Sequence, residues 1–379
     1  MALQIKQHST ITELPAQQWA RLLTHDNPFV SHAFLAALEH NGCVGAALGW
    51  QPCFLGAWED GVLFGAVPMY LKENSYGEFV FDWSWADAYR HFGNSYYPKL
   101  VVASPYTPAT GPRLLLAEDA PATLGRQLID AAIAEARGRG LSSLHWLFPA
   151  QDELPLLESA GMLRRVGVQY HWLNPGYRDF QDYLDALTAA KRKMIRRERR
   201  KVAEQGVEIE RRFGNELSDS EWRVVYALYA EIYQRKWGFP TLNETFFREV
   251  GETMGDQVLV VLAYHDRRCV AGAIDFVGGG VLYGRHWGCF GNYDSLHFEL
   301  CYYQGIELAI ERGLQRFEPG AQGEHKISRG FLPQFTWSAH WLAHPGFRRA
   351  VERYLRTEAQ EMERYAAELS QHSPFRETP

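Results

Sequence analysis

The densest chemistry in the chain lies in the run Phe317-Glu318-Pro319-Gly320-Ala321-Gln322-Gly323-Glu324-His325-Lys326-Ile327-Ser328-Arg329-Gly330-Phe331. Its three glycines let the backbone take positive φ and let other groups approach closely. Lys326 and Arg329 suit a phosphate or a polarised carbonyl, because arginine binds in a bidentate fork and lysine is a mobile point charge. A salt bridge to Glu318 or Glu324 is the plainer use of either cation. Upstream, Glu299 falls in an aromatic helix beside Phe298, Tyr302 and Tyr303. Buried there, its carboxyl would have a raised pKa and could take a proton as general base. His297 is the other candidate base. A second region, Phe81 to Lys99, is a long aromatic and polar stretch without clear periodicity, and such loops are often functional. Its aromatics could stack a base or a sugar, with Arg90 and Lys99 meeting phosphates.

These groups fit acyl transfer to an amine. That reaction needs a deprotonated amine, an oriented carbonyl and donors for the developing oxyanion. It needs no protein nucleophile, and the chain has neither a Gly-x-Ser-x-Gly elbow nor a cysteine in a recognisable Cys-His context. The stretch Gly320 to Lys326 lacks the Gly-Lys-Ser/Thr end of a phosphate-binding loop. His297 and Glu299 are two residues apart on a helix and point to different faces, so no metal site is expected.

The elements that must position these residues repeat. Ile133, Ala136, Arg139, Gly140 and Leu141 match Ile306, Ala309, Arg312, Gly313 and Leu314 in order and spacing. In both copies a helix pattern ends in Arg-Gly, where glycine suits the left-handed position after a helix, and a short strand follows. The spacing predicts one helix from Ala122 to Arg139 and another from Leu296 to Arg312. Strands follow at Leu144 and at Phe317. Ser31 opens a helix through His40, and Pro52 to Leu71 reads as a hairpin turning at Glu59-Asp60-Gly61. Ser218-x-x-Glu221 reads as a capping box opening a helix to Lys236, and Thr241-x-x-Glu244 as one opening a helix that ends near Gly255. Three strands, Val258 to Tyr264, Cys269 to Phe276 and Val281 to Arg285, form an antiparallel meander. Pro345 begins a last amphipathic helix whose stripe is Phe347, Val351, Tyr354, Glu358, Met362, Tyr365 and Leu369.

At 379 residues the chain exceeds one ordinary core, so two domains are expected. Apolar residues make up 46% and no apolar run is long enough to span a membrane. The first residues lack the charged-then-apolar pattern of a signal peptide. Five widely spaced cysteines read as reduced thiols, so a cytoplasmic location is expected. The net charge is −6, but Lys191 to Lys201 holds eight bases and one acid. That run carries +7 and leaves −13 for the rest, which makes it a local anion-binding candidate. Tyr183, Leu187, Ala190, Met194 and Val202 share one face, predicting a single amphipathic helix from Phe180 to Gln205. Its cationic face carries Lys191, Arg192, Arg196, Arg197 and Arg200.

Several features together resemble a known family. They are the twofold order of elements, the motif Tyr183-Leu-Asp-Ala-Leu-x-x-x-Lys191-Arg192-x-x-Ile195-Arg196-Arg197-Glu198, and the stretch from His297-Phe298-Glu299-Leu300 through Phe331. The chain resembles the FemAB/FemX-like predicted N-acyltransferases of the GNAT superfamily, from about Asn27 to Phe347. The resemblance implies an α/β (α+β) fold of two tandem GNAT-like domains, each a mixed, splayed sheet flanked by helices. The expected domains are 1–174, 175–345 with the basic helix at its start, and a C-terminal helix and tail over 346–379. It implies an acyl-CoA or aminoacyl-tRNA donor, no tightly bound cofactor, and an amine acceptor such as a peptidoglycan precursor. Arg285-His-Trp-Gly288-Cys-Phe-Gly291 is one residue longer than the pyrophosphate-binding pattern of acetyl-CoA enzymes, so both donors stay open. Lys326, Glu299 and His297 are the expected catalytic residues. Arg329, Glu318, Gly320, Gly323, Arg285, Tyr97, Lys99, Arg192 and Arg196 are the expected substrate-binding residues. The alternative is a non-catalytic module that holds RNA or another polyanion on its cationic helix.

Overall fold

The computed structural model of the chain describes residues 3–91, 93–235, 238–321 and 323–376. Lys236, expected to end a helix, and Gln322, inside the glycine-rich stretch, lie outside the described residues. The chain forms two compact units, Met1–Val168 with Phe335–Arg364, and Gln169–Gln334 with Tyr365–Pro379. Each unit takes a strand from the other half of the sequence. The strand Leu163–Leu173 begins in the first unit and ends in the second, and Leu332–Leu342 runs the opposite way.

In the first unit, strands Phe54–Glu59 and Val62–Val67 form the hairpin at Asp60-Gly61. A second sheet runs through Met69–Lys72, Lys99–Val102 and Ser143–Leu147 to residues 338–342. The helix Leu124–Gly138 covers the core with Leu128, Ile129, Ala132, Ile133 and Ala136. These residues recur at helical spacing, which is why the segment is helical and why that face is dry. Phe81 to Lys99 is not an irregular loop: Trp83–His91 is a helix that buries Trp85, Ala86 and Tyr89 against Phe347, Val351 and Leu355.

In the second unit the meander forms as expected, with Val258–His265, Arg268–Gly278 and Val281–Cys289 in antiparallel register. Glu208–Phe213 adds an edge strand. Arg316–Glu318 lies parallel to Val281–Cys289, and its other side pairs with Trp172 and Leu173.

The two copies of the repeat end in the same cap. Gly140 (φ 65) donates to the Arg137 carbonyl and Leu141 to that of Ala136. Gly313 (φ 62) donates to Ile310 and Leu314 to Ala309. Both are Schellman caps, which require a left-handed residue. In each copy the following strand pairs in parallel with an earlier strand, Lys99–Val102 or Val281–Cys289, and antiparallel with a strand from the other half of the sequence, Leu332–Leu342 or Leu163–Leu173.

Some expected boundaries move. The basic segment is two helices, Phe180–Ala186 and Ala189–Glu204, because Leu187 and Thr188 are extended. Asn243, two residues after Thr241, caps Glu244–Met254 by accepting from the Phe246 N–H. The helix from Leu296 carries a π-helical turn, Glu299–Tyr303, before continuing as Gln304–Glu311. The last helix, Pro345–Ser370, buries Leu355 rather than Tyr354.

Candidate active site

The second unit places its buried charges where two parallel strands stop pairing. The strands Val281–Cys289 and Arg316–Glu318 pair only through Tyr283 and Glu318. At that point the ladder to Arg268–Gly278 slips: Asp275 faces Gly284, Ile274 faces His286, and Arg285 is the extra residue of a bulge. A bulge re-aims the side chain it adds. The fork is narrow at its base. A Cβ on Gly284 would sit 3.1 Å from the Pro319 Cα, and one on Gly320 would sit 3.7 Å from the Gly284 carbonyl.

Around this fork lie Asp275, Arg285, Glu318, Lys326 and Cys301. Lys326 is 3% exposed, and its Nζ donates to the carbonyls of Pro319 (3.1 Å) and Gly320 (2.7 Å). Burial lowers its pKa to about 8, and the Arg285 charge acts in the same direction. Among the described residues no carboxylate ion-pairs with it, so the expected bridges to Glu318 and Glu324 do not form. Glu318 is instead 2.8 Å from Arg316. Burial pulls Arg285 down to about 10 against the pull of Glu318 and Asp275. Asp275 is pushed up by burial, and its Oδ2 accepts no hydrogen bond from the described residues. The Cys301 thiol is pushed well up by burial, which makes it inert rather than nucleophilic.

Arg329 does not face the fork. It is 4% exposed and bound by Glu198, with Nη2 2.7 Å from Oε1 and Nε 3.2 Å from Oε2. Its Nε also donates to the Tyr303 hydroxyl (2.9 Å), which itself donates to Glu198. The guanidinium lies on the Phe298 ring. Its place in the structure corrects the expectation that it binds phosphate: its donors are already used.

Glu299 is also buried and engaged. Arg199 grips both its oxygens at 3.1 and 3.0 Å, and Gln304 Nε2 donates to it at 2.8 Å. Burial raises its pKa while Arg199 opposes the rise. Arg199 also reaches Glu307 at 2.6 Å. The π-helical turn puts Glu299 on this face, since an added residue rotates the helix at that point. His297 sits among the rings of Trp287 (5.2 Å), Tyr302 (5.4 Å) and His325 (6.2 Å). Burial first, then the neighbouring His325, Arg329 and Lys326, lower its pKa to about 4. It is therefore a neutral imidazole at pH 7. His325 accepts or donates one hydrogen bond with the Tyr302 hydroxyl at 2.8 Å.

Of the basic helix, Arg196, Arg197 and Arg200 are exposed, while Lys191 and Arg192 are half-buried. Arg192 pairs with Asp185 and Arg196 reaches Gln181. The buried stripe is Ile195, Glu198 and Val202; Met194 is only half-buried and Ala190 is exposed. In the first unit Lys99 is sealed in, donating to Glu78 (2.8 Å), Asp82 (2.5 Å) and Ser75 (2.9 Å). Tyr97 bonds Ser75 at 2.8 Å. Neither presents its polar atom to a ligand, and Arg90 is paired with Asp87. The fork residues Asp275 and Cys301 and the partner Glu198 escaped the sequence reading. For Asp275 a signal existed, a lone acid inside an otherwise apolar strand.

The FemAB-like family model, described as peptidoglycan biosynthesis/recognition, matches residues 10–377. The chain belongs to the FemAB-like family. Its fold is similar to that of FemX, at 10% identity and TM-score 0.53, covering 93% of this chain and 100% of that one. L-PGS from Bacillus licheniformis is similar at 12% identity and TM-score 0.52, covering 90% and 98%. A C-terminal domain of lysylphosphatidylglycerol-synthetase type from Agrobacterium fabrum gives 10% identity and TM-score 0.56, covering 90% and 96%. No curated protein matches this FemAB-like chain by sequence. Among the described residues no helix is long and apolar enough to cross a membrane.

Proposed function

We propose that the chain moves an acyl or aminoacyl group from acyl-CoA or aminoacyl-tRNA to an amine on a cell-envelope precursor, with the chemistry at the strand fork of the second unit. One observation carries this reading: Lys326, a buried ammonium without a carboxylate partner among the described residues, stands beside the fork with Arg285 and Asp275. The donor carbonyl lies in the fork. The acceptor amine attacks it, a C–N bond forms, and the oxyanion is stabilised by the Lys326 ammonium. The amine proton goes to the neutral His297, directly or through a water. The C–S bond of a thioester or the C–O bond of a tRNA ester then breaks, and the CoA sulfur or ribose oxygen leaves with the proton returned from His297. Glu299 positions Arg199 and the helix rather than taking the proton. Both donors are made in the cytoplasm, where we place the protein. We regard 1–174 and 175–345 as duplicated halves that exchange their last strands, with 346–379 as an added helix and tail.

A second reading, the polyanion-binding module, is favoured by the exposed Arg196, Arg197 and Arg200. In the enzyme the same face would take the phosphates of a donor tRNA. The test is a donor panel with hydroxylamine as acceptor, following thiol release from acyl-CoA and loss of labelled amino acid from aminoacyl-tRNA. Amine-dependent consumption of one donor supports the enzyme. Binding of tRNA with no consumption of either donor supports the module.

A further inference from the structure

Lys326 rides on a turn that is weak by itself. Glu324–Arg329 is a six-residue 3-10 helix, and longer runs of this kind are uncommon because their hydrogen bonds are poorly aligned. Within it the Lys326 N–H donates to the Gly323 carbonyl at 3.1 Å. At its exit the Gly330 N–H donates to the Ile327 carbonyl at 2.9 Å and the Phe331 N–H to that of Lys326 at 3.3 Å.

The segment from Tyr365 to Arg376 grips this turn at both ends. At the entrance the Tyr365 hydroxyl donates to Glu324 Oε1 at 2.8 Å, and the buried Tyr170 hydroxyl lies 3.0 Å from that of Tyr365. At the exit Gly330, with φ 84, sits among three rings. A Cβ there would lie 2.9 Å from Phe375 Cζ, 3.4 Å from Trp172 Cδ1 and 3.4 Å from Tyr183 Cε2. The Phe375 ring therefore packs on bare glycine backbone. Phe375 is itself fixed by an antiparallel bridge to Leu187. On either side of it, the Thr188 N–H donates to the Pro374 carbonyl (2.9 Å) and the Arg376 N–H to that of Ala186 (3.0 Å). Leu369 of the same segment shares its core with Ile327 of the turn.

One segment thus sets both ends of the turn, with Lys326 fixed between them and its Nζ held to the Pro319 and Gly320 carbonyls. A displacement of about 1 Å in such a group can cost about a hundredfold in rate. We propose that Phe375 and Tyr365 are positioning residues that hold the Lys326 ammonium at the strand fork. This rests on the reading that Lys326 stabilises the oxyanion. Because they act through Lys326, their loss lowers kcat and leaves KM nearly unchanged.

The test combines hydrogen exchange over 324–331, read by mass spectrometry, with steady-state rates on the donor found in the panel and hydroxylamine. In Phe375→Ala, exchange over 324–331 should quicken and kcat should fall, each at least about tenfold, with KM within about twofold. Phe375→Leu keeps an apolar contact and should recover most of the kcat. Tyr365→Phe loses only the hydroxyl and should lower kcat about threefold. Added to Lys326→Ala, Phe375→Ala should change kcat by less than about twofold, because its effect passes through the missing ammonium. Circular dichroism and thermal melting check folding; if Phe375→Ala does not fold, Tyr365→Phe takes its place in the same comparison. The positioning role is overturned if Phe375→Ala leaves exchange or kcat at the wild-type level. It is also overturned if Phe375→Ala lowers kcat equally with and without Lys326. If Lys326→Ala keeps turnover, or no donor is consumed, the proposed function fails instead. Exchange over 324–331 then decides the grip alone: quickened exchange in Phe375→Ala upholds it and wild-type exchange overturns it.

Discussion

Glu198 and Arg329, 131 residues apart in sequence, form a buried two-pronged ion pair, with Nη2 to Oε1 at 2.7 Å. It ties the basic helix to the turn that carries Lys326, so the glycine-rich stretch is held from behind by a segment that reads as solvent-facing. Removing one partner leaves a buried charge without compensation. Glu198→Ala should cost about 3–5 kcal/mol in urea unfolding. The pair Glu198→Leu with Arg329→Met should be less destabilised than Glu198→Ala, because both charges leave together. Equal stability of Glu198→Ala and the wild type would contradict this role.

The two Schellman caps predict matched losses. Gly140 and Gly313 have φ 65 and 62, and a Cβ at either would meet nothing within 4 Å. Only the left-handed backbone resists a side chain. Gly140→Ala and Gly313→Ala should each lower stability by about 1 kcal/mol. A neutral effect at either position would break the equivalence of the two copies.

Much of this frame is legible in the sequence. The repeat shows because Arg-Gly-Leu obeys local capping rules, and the meander shows because continuous apolar runs broken at Asp266-Arg267 and Gly279-Gly280 are local signals. The break at Leu187-Thr188 is not legible: both residues tolerate a helix, and the extended link is set by the Thr188 N–H donating to the Pro374 carbonyl. The helix Trp83–His91 hides for a related reason. Its buried face of Trp85, Ala86 and Tyr89 is short and is completed only by Phe347 and Val351 of the last helix. At the site, Lys326 and Glu299 stand out by type and context. Arg329 looked like a ligand group because its partner, Glu198, sits in a run of bases that reads as uniformly solvated.

The pH profile of transfer should follow two groups. Lys326 must be charged to hold the oxyanion, and its pKa is about 8, so the rate should fall as pH rises through that value. His297 must be neutral, so the rate per free-base hydroxylamine should also fall as pH drops through about 4. Hydroxylamine as acceptor keeps the amine's own titration away from the alkaline limb. Lys326→Arg keeps a charge at high pH and should move that limb upward. Stability gives an independent reading. The folded pKa lies below the ordinary lysine value of 10.5, so between about 8 and 10.5 the unfolded chain binds the proton and the folded chain does not. Lys326 therefore adds a rise in stability with pH across that window, and Lys326→Met should remove it.

The cationic face should act through phosphates if it acts at all. Arg196, Arg197 and Arg200 are exposed, so replacing all three by alanine should leave the melting temperature nearly unchanged. Binding of tRNA should weaken, and the slope of log K against log salt should drop by about one per lost contact. A flat salt dependence in the wild-type chain would mean that this face is only solvated.

The most direct test of the account is turnover by Lys326→Ala with the donor identified in the panel and hydroxylamine as acceptor. The account predicts that the variant folds, by circular dichroism and thermal melting, and that kcat falls by about two orders of magnitude, near 3 kcal/mol of lost oxyanion stabilisation. A folded variant that keeps near-full turnover would contradict it, and would move the reacting carbonyl away from the fork.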